Sequence, residues 1–198
     1  MRLGVFGGTF DPPHIGHLIL AAEACSQLAL DRLLWVLTPY PPHKQHHSVS
    51  LIEQRLALVE AVLAQDASFE LSRVEIDRPA PHYAVDTIEL LQAQYPGASL
   101  FYLIGGDSLR DLPTWREPQR LVRNVAKLGV MRRPGDQVDL KQLETSLPGL
   151  CEKLSMMRTP RLEISSSDLR QRIASGRPFR YYLAPVVYDL IVARGYYR

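Results

Sequence analysis

The sequence predicts an α/β protein: a Rossmann-like, doubly wound and mostly parallel sheet with helices on both faces, closed by a small C-terminal helical portion. Three observations carry this. Apolar runs of strand length alternate with longer stretches of helical spacing. Two of the runs end in glycine pairs, Gly7-Gly8 and Gly105-Gly106, each followed by more polar chain. No internal repeat or low-complexity linker divides the 198 residues, which fits a single domain over 1–198, with 165–198 as the helical portion.

In chain order, residues 3–6 read as a buried strand, and Gly7-Gly8 as the turn out of it. Pro12-Pro13 interrupts the chain, and the Ala- and Leu-rich stretch 18–30 reads as a helix. Residues 33–37 are a second strand, ended by Thr38-Pro39. The prolines of 39–47 exclude a helix or a central strand there. Ser50 and Glu53 have capping-box spacing. Leu51, Leu58 and Val62 then keep helical spacing to about residue 64. Residues 69–76 alternate as a third strand, 78–83 form a loop, and 85–95 form a helix stopped by Pro96-Gly97. The strongest strand signal is 100–104. A further strand over 125–132 ends at Arg133-Pro134-Gly135. The polar stretch 136–150 is compatible with a short helix, and 154–157 with 162–164 reads as one interrupted strand. Helices over 166–174 and 185–193 stop at Gly176 and Gly195.

Composition narrows the class. A hydrophobic fraction of 46% is enough for a real core, and 23 basic against 21 acidic side chains argue against a bulk nucleic-acid binder. Cys25 and Cys151 form neither a disulfide framework nor a metal-type spacing, which suits a reducing compartment. The N-terminus enters strand pattern at once, so no signal peptide is expected, and no apolar run is long enough for a membrane span. The expected location is the cytoplasm.

The chemistry concentrates at strand ends. In parallel sheets ligands bind beyond the carboxyl ends of the strands, so the two glycine pairs belong to the same edge. Glycines let backbone N–H groups approach a ligand, and a helix N-terminus adds unpaired donors and partial positive charge; together they suit phosphate. Gly8, Thr9 and Phe10 are the candidate N–H or hydroxyl donors. His14 and His17, at i and i+3, can point the same way. No Cys or third His lies close to that pair in sequence, so protein metal ligands are not expected. Asp11, before Pro12, reads as a turn or cap residue rather than a general base. Lys44 follows the second strand in a proline-stiffened loop. Ser165, Ser166 and Ser167 put hydroxyls at a helix start, with Arg170 one turn in.

These strings carry a resemblance. Gly7-Gly8-Thr9-Phe10-Asp11-Pro12 followed by His14-Ile15-Gly16-His17 resembles the signature of the nucleotidyltransferase α/β phosphodiesterase superfamily. Pro41-Pro42-His43-Lys44 resembles a further motif, and Ile164-Ser165-Ser166-Ser167 with Arg170 resembles the C-terminal one, with serine at 167 for threonine. Tyr83 with Asp86-Thr87, Gly105 with Asp107-Ser108 and Trp115, and Arg132-Arg133-Pro134-Gly135 are similar to bacterial nicotinate-nucleotide adenylyltransferases. The likeness runs the length of the chain and is weakest over 136–160.

The resemblance implies an enzyme that joins ATP to nicotinate mononucleotide, giving nicotinate adenine dinucleotide and pyrophosphate in NAD synthesis, by direct in-line attack without a covalent enzyme intermediate. It implies catalytic roles for His14, His17, Lys44 and Arg170. ATP binding would fall to those two histidines and Arg170 with Gly7, Gly8, Thr9, Phe10, Gly105 and Asp107, and with Ile164, Ser165, Ser166 and Ser167. Lys44, Thr87, Trp115 and Arg132 would bind the nicotinate nucleotide, with Thr87 and Trp115 at its pyridine ring. Mg²⁺ is expected with ATP, held by phosphates and water rather than by protein. The expected partners are the two nucleotides, not nucleic acid or membrane, and a homo-oligomer is left open. Rival readings are a nicotinamide-mononucleotide or pantetheine-phosphate adenylyltransferase of the same fold, or a non-catalytic nucleotide sensor. A synthetase fragment is suggested by the literal His-Ile-Gly-His string, but the chain has no Lys-Met-Ser-Lys-Ser string. Side chains do not report acid against amide preference, because backbone N–H groups could hold a carboxylate.

Overall fold

The structure, a computed structural model, describes residues 1–40, 49–131, 138–160 and 162–198. Among them six strands form one sheet: β1 (Arg2–Gly8), β2 (Arg32–Leu37), β3 (Phe69–Ser72), β4 (Ser99–Gly105), β5 (Lys127–Met131) and β6 (Leu154–Met157). Their order is β3-β2-β1-β4-β5-β6 and every neighbouring pair is parallel. The chain starts in the middle, winds out to β3, returns to β4 beside β1 and winds out the other way. The strand order therefore reverses between β1 and β4, where α/β sheets open a crevice.

The helices are α1 (Ile15–Gln27), α2 (Ile52–Leu63), α3 (Ala84–Gln94), α4 (Gly106–Asp111), α5 (Pro118–Asn124), α6 (Leu140–Ser146), α7 (Leu150–Lys153), α8 (Ser166–Ala174) and α9 (Pro185–Arg194). The continuous apolar run of β2 shows why helices cover both faces. All five residues from Leu33 to Leu37 are fully buried, and the pleat sends them alternately to opposite sides. Leu33, Trp35 and Leu37 join Phe6, Leu20, Leu58, Ile173 and Val187, and so meet α1, α2, α8 and α9. Leu34 and Val36 join Val5, Ile88, Leu91 and Leu121, and so meet α3 and α5. Trp35 is the largest fully buried side chain. Burying such a side chain stabilises by on the order of 3 kcal/mol.

Several sequence expectations shift at their edges. Gly7 and Gly8 are not a turn but the last paired residues of β1, opposite Val36 and Leu37. Helix α1 starts at Ile15, because His14 takes the N-cap, and ends before Ala29, which is left-handed at φ 45°. The Ser50–Glu53 capping box does not form. Leu51 is the N-cap of α2, while the Ser50 N–H is given to Asp11 Oδ2 at 3.1 Å. Strand β3 stops at Ser72 because 73–77 fold into a turn, closed by the Asp77 N–H on the Arg73 carbonyl at 2.9 Å. Strand β5 begins at Lys127 rather than at 125. Residues 162–164 are not strand; only β6 forms there. The stretch compatible with one short helix holds α6 and the start of a second, α7. Helices α8 and α9 are as expected, with left-handed Gly176 and Gly195 just past their ends. No helix among the described residues is long and apolar enough to cross a membrane.

Candidate active site

A cleft of about 490 Å³ opens at the switch point. Its lining takes Gly7 and Gly8 at the end of β1, Thr9 after them, and Gly105 and Asp107 at the β4–α4 junction. It also takes Glu75, His82, Tyr83, Thr87 and Trp115. Gly7, Gly8 and Gly105 thus reach one cavity, as parallel topology requires. Two of these glycines are needed for close approach. A Cβ on Gly8 would lie 3.0 Å from the Phe10 ring, and one on Gly105 would overlap Asp107 Oδ1. Gly105 is the N-cap of α4, and the Asp107 carboxylate accepts the Ser108 N–H at 2.9 Å.

The histidine pair does not line the cleft itself, but His17 packs on Phe6, which does. The rings of His14 and His17 stack 3.7 Å apart and 21° from parallel, so they do point the same way. The His14 N–H donates to His17 Nδ1 at 3.1 Å. Nδ1 is then an acceptor, so in the neutral ring the proton sits on Nε2. Phe10 is left-handed at φ 45° and 1% exposed, and its side chain packs on Phe6, His17 and Trp35. Its part in any phosphate site is therefore limited to its backbone.

The C-terminal element closes over the loop after β1. Ser165 caps α8, accepting the Asp168 N–H at 3.1 Å, and Ser166 Oγ donates to the Pro12 carbonyl at 2.9 Å. Arg170 Nη1 donates to the Asp11 carbonyl at 2.7 Å and lies 3.5 Å from Asp11 Oδ2. All three serine hydroxyls are thus engaged within the protein, Ser167 Oγ by accepting from Arg170 Nη2. Ser167 Oγ, 3.5 Å from Arg170 Nη2, and the first-turn N–H groups of α8 stay on the candidate list. Asp11 is 2% exposed and held by Ser50 and Arg170. It shapes the loop rather than capping a helix. Ile164 leads into α8 half-buried. Lys44 and Arg132 lie outside the described residues.

Thr87 is where the sequence reading needs most refinement. Its hydroxyl donates to Glu75 Oε1 at 2.5 Å and accepts Arg78 Nη2 at 3.1 Å, and its N–H is bonded to the Tyr83 carbonyl. Thr87 builds the wall of the cleft but has no donor left for a ligand. Trp115 lines the same cleft, edge-on to Tyr102 at 6.3 Å.

Two residues missed at the sequence level organise the site. Arg55 is 1% exposed and donates to the carbonyls of Thr9, Thr38, Pro39 and Ser50 at 2.8–3.0 Å, tying the ends of β1 and β2 to the start of α2. Burial lowers its pKa, opposed chiefly by Asp11. The helical spacing that turns Leu58 and Val62 inward turns position 55 inward too, so this signal was available. Glu75 is 5% exposed. Burial raises its carboxyl, opposed by hydrogen bonds from Thr87 and Thr38 and by the charge of Arg78. Nothing in the local pattern could link Glu75 to Thr87, twelve positions on. His82, also buried, is held below the usual histidine range by burial and then by Arg78.

With this geometry in place, comparison with known proteins is direct. A cytidylyltransferase-like family model matches residues 5–172. A Roseiflexus castenholzii protein named "Probable nicotinate-nucleotide adenylyltransferase" is 46% identical, covering 100% of this chain and 98% of its own. Proteins of the same name from Thermomicrobium roseum and Thermus thermophilus are 43% and 39% identical, each aligned with 100% of this chain and with 92% and 100% of their own. Plasmodium falciparum nicotinic acid mononucleotide adenylyltransferase complexed with NaAD superposes with a TM-score of 0.81 over 99% of this chain and 97% of its own. At 17% identity that likeness speaks for the fold alone. Full-length identity at this level, on a sheet with this topology, means that the chain belongs to the cytidylyltransferase-like family and, within it, to the nicotinate-nucleotide adenylyltransferases.

Proposed function

We propose that this protein transfers the adenylyl group of ATP to nicotinate mononucleotide, releasing pyrophosphate and forming nicotinate adenine dinucleotide in cytoplasmic NAD synthesis. The observation that carries this is the continuity of one cleft from the glycine strand ends of β1 and β4 to the wall built by Tyr83, Thr87 and Trp115. A nucleotide phosphate end and an aromatic-walled acceptor end share one cavity, as a reaction between two nucleotides needs.

The 5′-phosphate oxygen of the acceptor attacks the α-phosphorus of ATP. A bond to that phosphorus forms as the α–β bridging bond breaks, and pyrophosphate leaves with the electron pair. A phosphate monoester is largely ionised at neutral pH, so the attack needs no general base. The engagement of Asp11 with Ser50 and Arg170 agrees with that. What the protein supplies is position and charge. Backbone donors near Gly8 and Thr9, with His17 Nε2–H and His14, stabilise charge building on the α-phosphate. The first turn of α8, Ser167 and Arg170 hold the leaving pyrophosphate, and Lys44 is the phosphate-contacting lysine that the sequence likeness implies. Trp115 offers a flat face at the acceptor end.

The nucleotidyltransferase chemistry calls for a divalent ion, and we assign Mg²⁺. Among the described residues no group of three or more His, Cys, Asp or Glu could hold a metal, and the phosphate end offers mainly N–H and hydroxyl donors. That donor set fits an ion carried by the triphosphate and water. When bound, the ion neutralises triphosphate charge. The test is pyrophosphate release from ATP and Mg²⁺ with nicotinate mononucleotide, nicotinamide mononucleotide and pantetheine phosphate as separate acceptors. Fastest turnover with the nicotinate nucleotide is expected. Tight nucleotide binding without turnover on any acceptor would instead identify a sensor.

A further inference from the structure

We propose that Tyr197 is a positioning residue for ATP: its hydroxyl takes hold of the Asp11 carboxylate when the phosphates draw on Arg170, and so keeps the loop after β1 in place. This rests on the reaction proposed above, in which Arg170 grips the leaving pyrophosphate.

The observation that carries it is a row of three buried polar atoms. Asp11 Oδ1, Tyr197 Oη and Gln54 Nε2 are each shut off from solvent, and among the described residues none closes a hydrogen bond. They are neighbours, with the phenol facing Asp11 as a donor and Gln54 as an acceptor. Their types match along the row: amide N–H, phenol, carboxylate oxygen. Buried groups left without hydrogen bonds are costly, so a row that is complementary yet open is set to close. Burial first, and then the charge of Asp11, raise the Tyr197 phenol above its ordinary range, so it keeps its proton and remains a donor.

The chain is bent to bring the phenol there. Gly195 ends α9 in the left-handed region, and the Tyr196 N–H returns to the Ile191 carbonyl at 3.1 Å. Tyr197 is itself left-handed at φ 65°, an uncommon conformation for a bulky side chain. Its ring packs against the core that α1, α2, α8 and α9 share. Gln54 comes from the first turn of α2.

Asp11 needs this second hold. The Ser50 N–H and Arg170 both meet its Oδ2, which leaves Oδ1 to the phenol. Arg55 also acts on Asp11 by charge, but its own N–H groups are given to four carbonyls. An anion on Arg170 weakens what that guanidinium gives the buried carboxylate. A phenol can answer with a charge-assisted bond, and being neutral it does not compete with Arg170 for the phosphates.

Tyr197→Phe keeps the ring and removes only the hydroxyl. Binding of ATP with Mg²⁺ is measured by calorimetry without acceptor, in wild type, Tyr197→Phe, Asp11→Asn and the double variant. Thermal unfolding without nucleotide should stay within about 2 °C in Tyr197→Phe, because the row is open in that state. The Kd for ATP should rise roughly tenfold, the worth of one hydrogen bond to a charged group. KM for nicotinate mononucleotide should hold within about twofold. In the Asp11→Asn background the same substitution should cost less than about threefold, because the charge it answers is gone. Unchanged ATP affinity in Tyr197→Phe, or the same loss in both backgrounds, overturns the role of Tyr197 while the reaction stands. A wild type that does not bind ATP removes the reaction and this role together.

Discussion

Arg170 Nη1 donates to the backbone carbonyl of Asp11 at 2.7 Å, joining residues 159 positions apart in sequence. The same guanidinium lies 3.5 Å from Asp11 Oδ2, on a carboxylate that is almost fully buried. Helix α8 is therefore clasped onto the loop between β1 and α1, and the residue proposed to grip pyrophosphate also braces the site of attack.

That double duty predicts a double loss. Arg170→Ala should strip Asp11 of its ion-pair partner, leaving the Ser50 N–H and the charge of Arg55, and lower stability by about 1–3 kcal/mol, the cost of weakening the hold on a buried charged group. Turnover should fall as well. Arg170→Lys should regain most of the stability, because charge near Asp11 returns, but less of the turnover, because a lysine cannot hold Asp11 and a phosphate in two directions at once. Urea unfolding and kcat on the same preparations separate the two. Parallel recovery of both would show that Arg170 only braces.

His17 should behave differently. Its Nδ1 is held by the His14 N–H, and its ring packs among Phe6, Phe10 and Trp35. Removing it costs some packing, and it also removes the ring proposed to stabilise charge on the α-phosphate. His17→Ala is expected to lower kcat by roughly 10²–10³-fold, as loss of one well-placed transition-state donor does elsewhere. The protein should stay folded by circular dichroism. Equal turnover by the variant would remove His17 from the mechanism.

Glu75 predicts a pH signature in stability. Its carboxyl is raised by burial above the ordinary value of 4.5, which it takes in the unfolded chain. Between those two values the folded protein binds more protons than the unfolded one, so stability falls as pH rises. Glu75→Gln keeps an acceptor for the Thr87 hydroxyl without the charge. Wild type should therefore lose stability relative to this variant as pH climbs above 4.5. Denaturant midpoints across that window measure it, and a relative gain by wild type would contradict it.

The fold was largely legible. Alternating apolar runs and helical spacing marked the paired strands and main helices, because burial on both faces of β2 needs five consecutive apolar residues. The glycine pairs at 7–8 and 105–106 announced two strand ends at one edge, and topology alone brought them together. The errors were local, and each has a cause outside the local pattern. The Ser50–Glu53 box looked complete, yet Asp11 takes the Ser50 N–H from another part of the chain. The run 69–76 looked like one strand, yet the Arg73–Asp77 turn ends it and carries Glu75 to the cleft.

The sequence by itself pointed to the reaction type, since Gly7-Gly8-Thr9, His14, His17 and the Ser165–Arg170 element resemble nucleotidyltransferase motifs and put phosphate-suited residue types at strand and helix ends. Tertiary structure alone decided which of their atoms remain for a ligand. It showed Ser165, Ser166, Ser167 and Thr87 to have hydroxyls engaged within the protein, and Arg55 to tie the strand ends together through their carbonyls. The physical reason is that a residue's chemistry is local, whereas the partners that saturate it are brought by folding from distant parts of the chain.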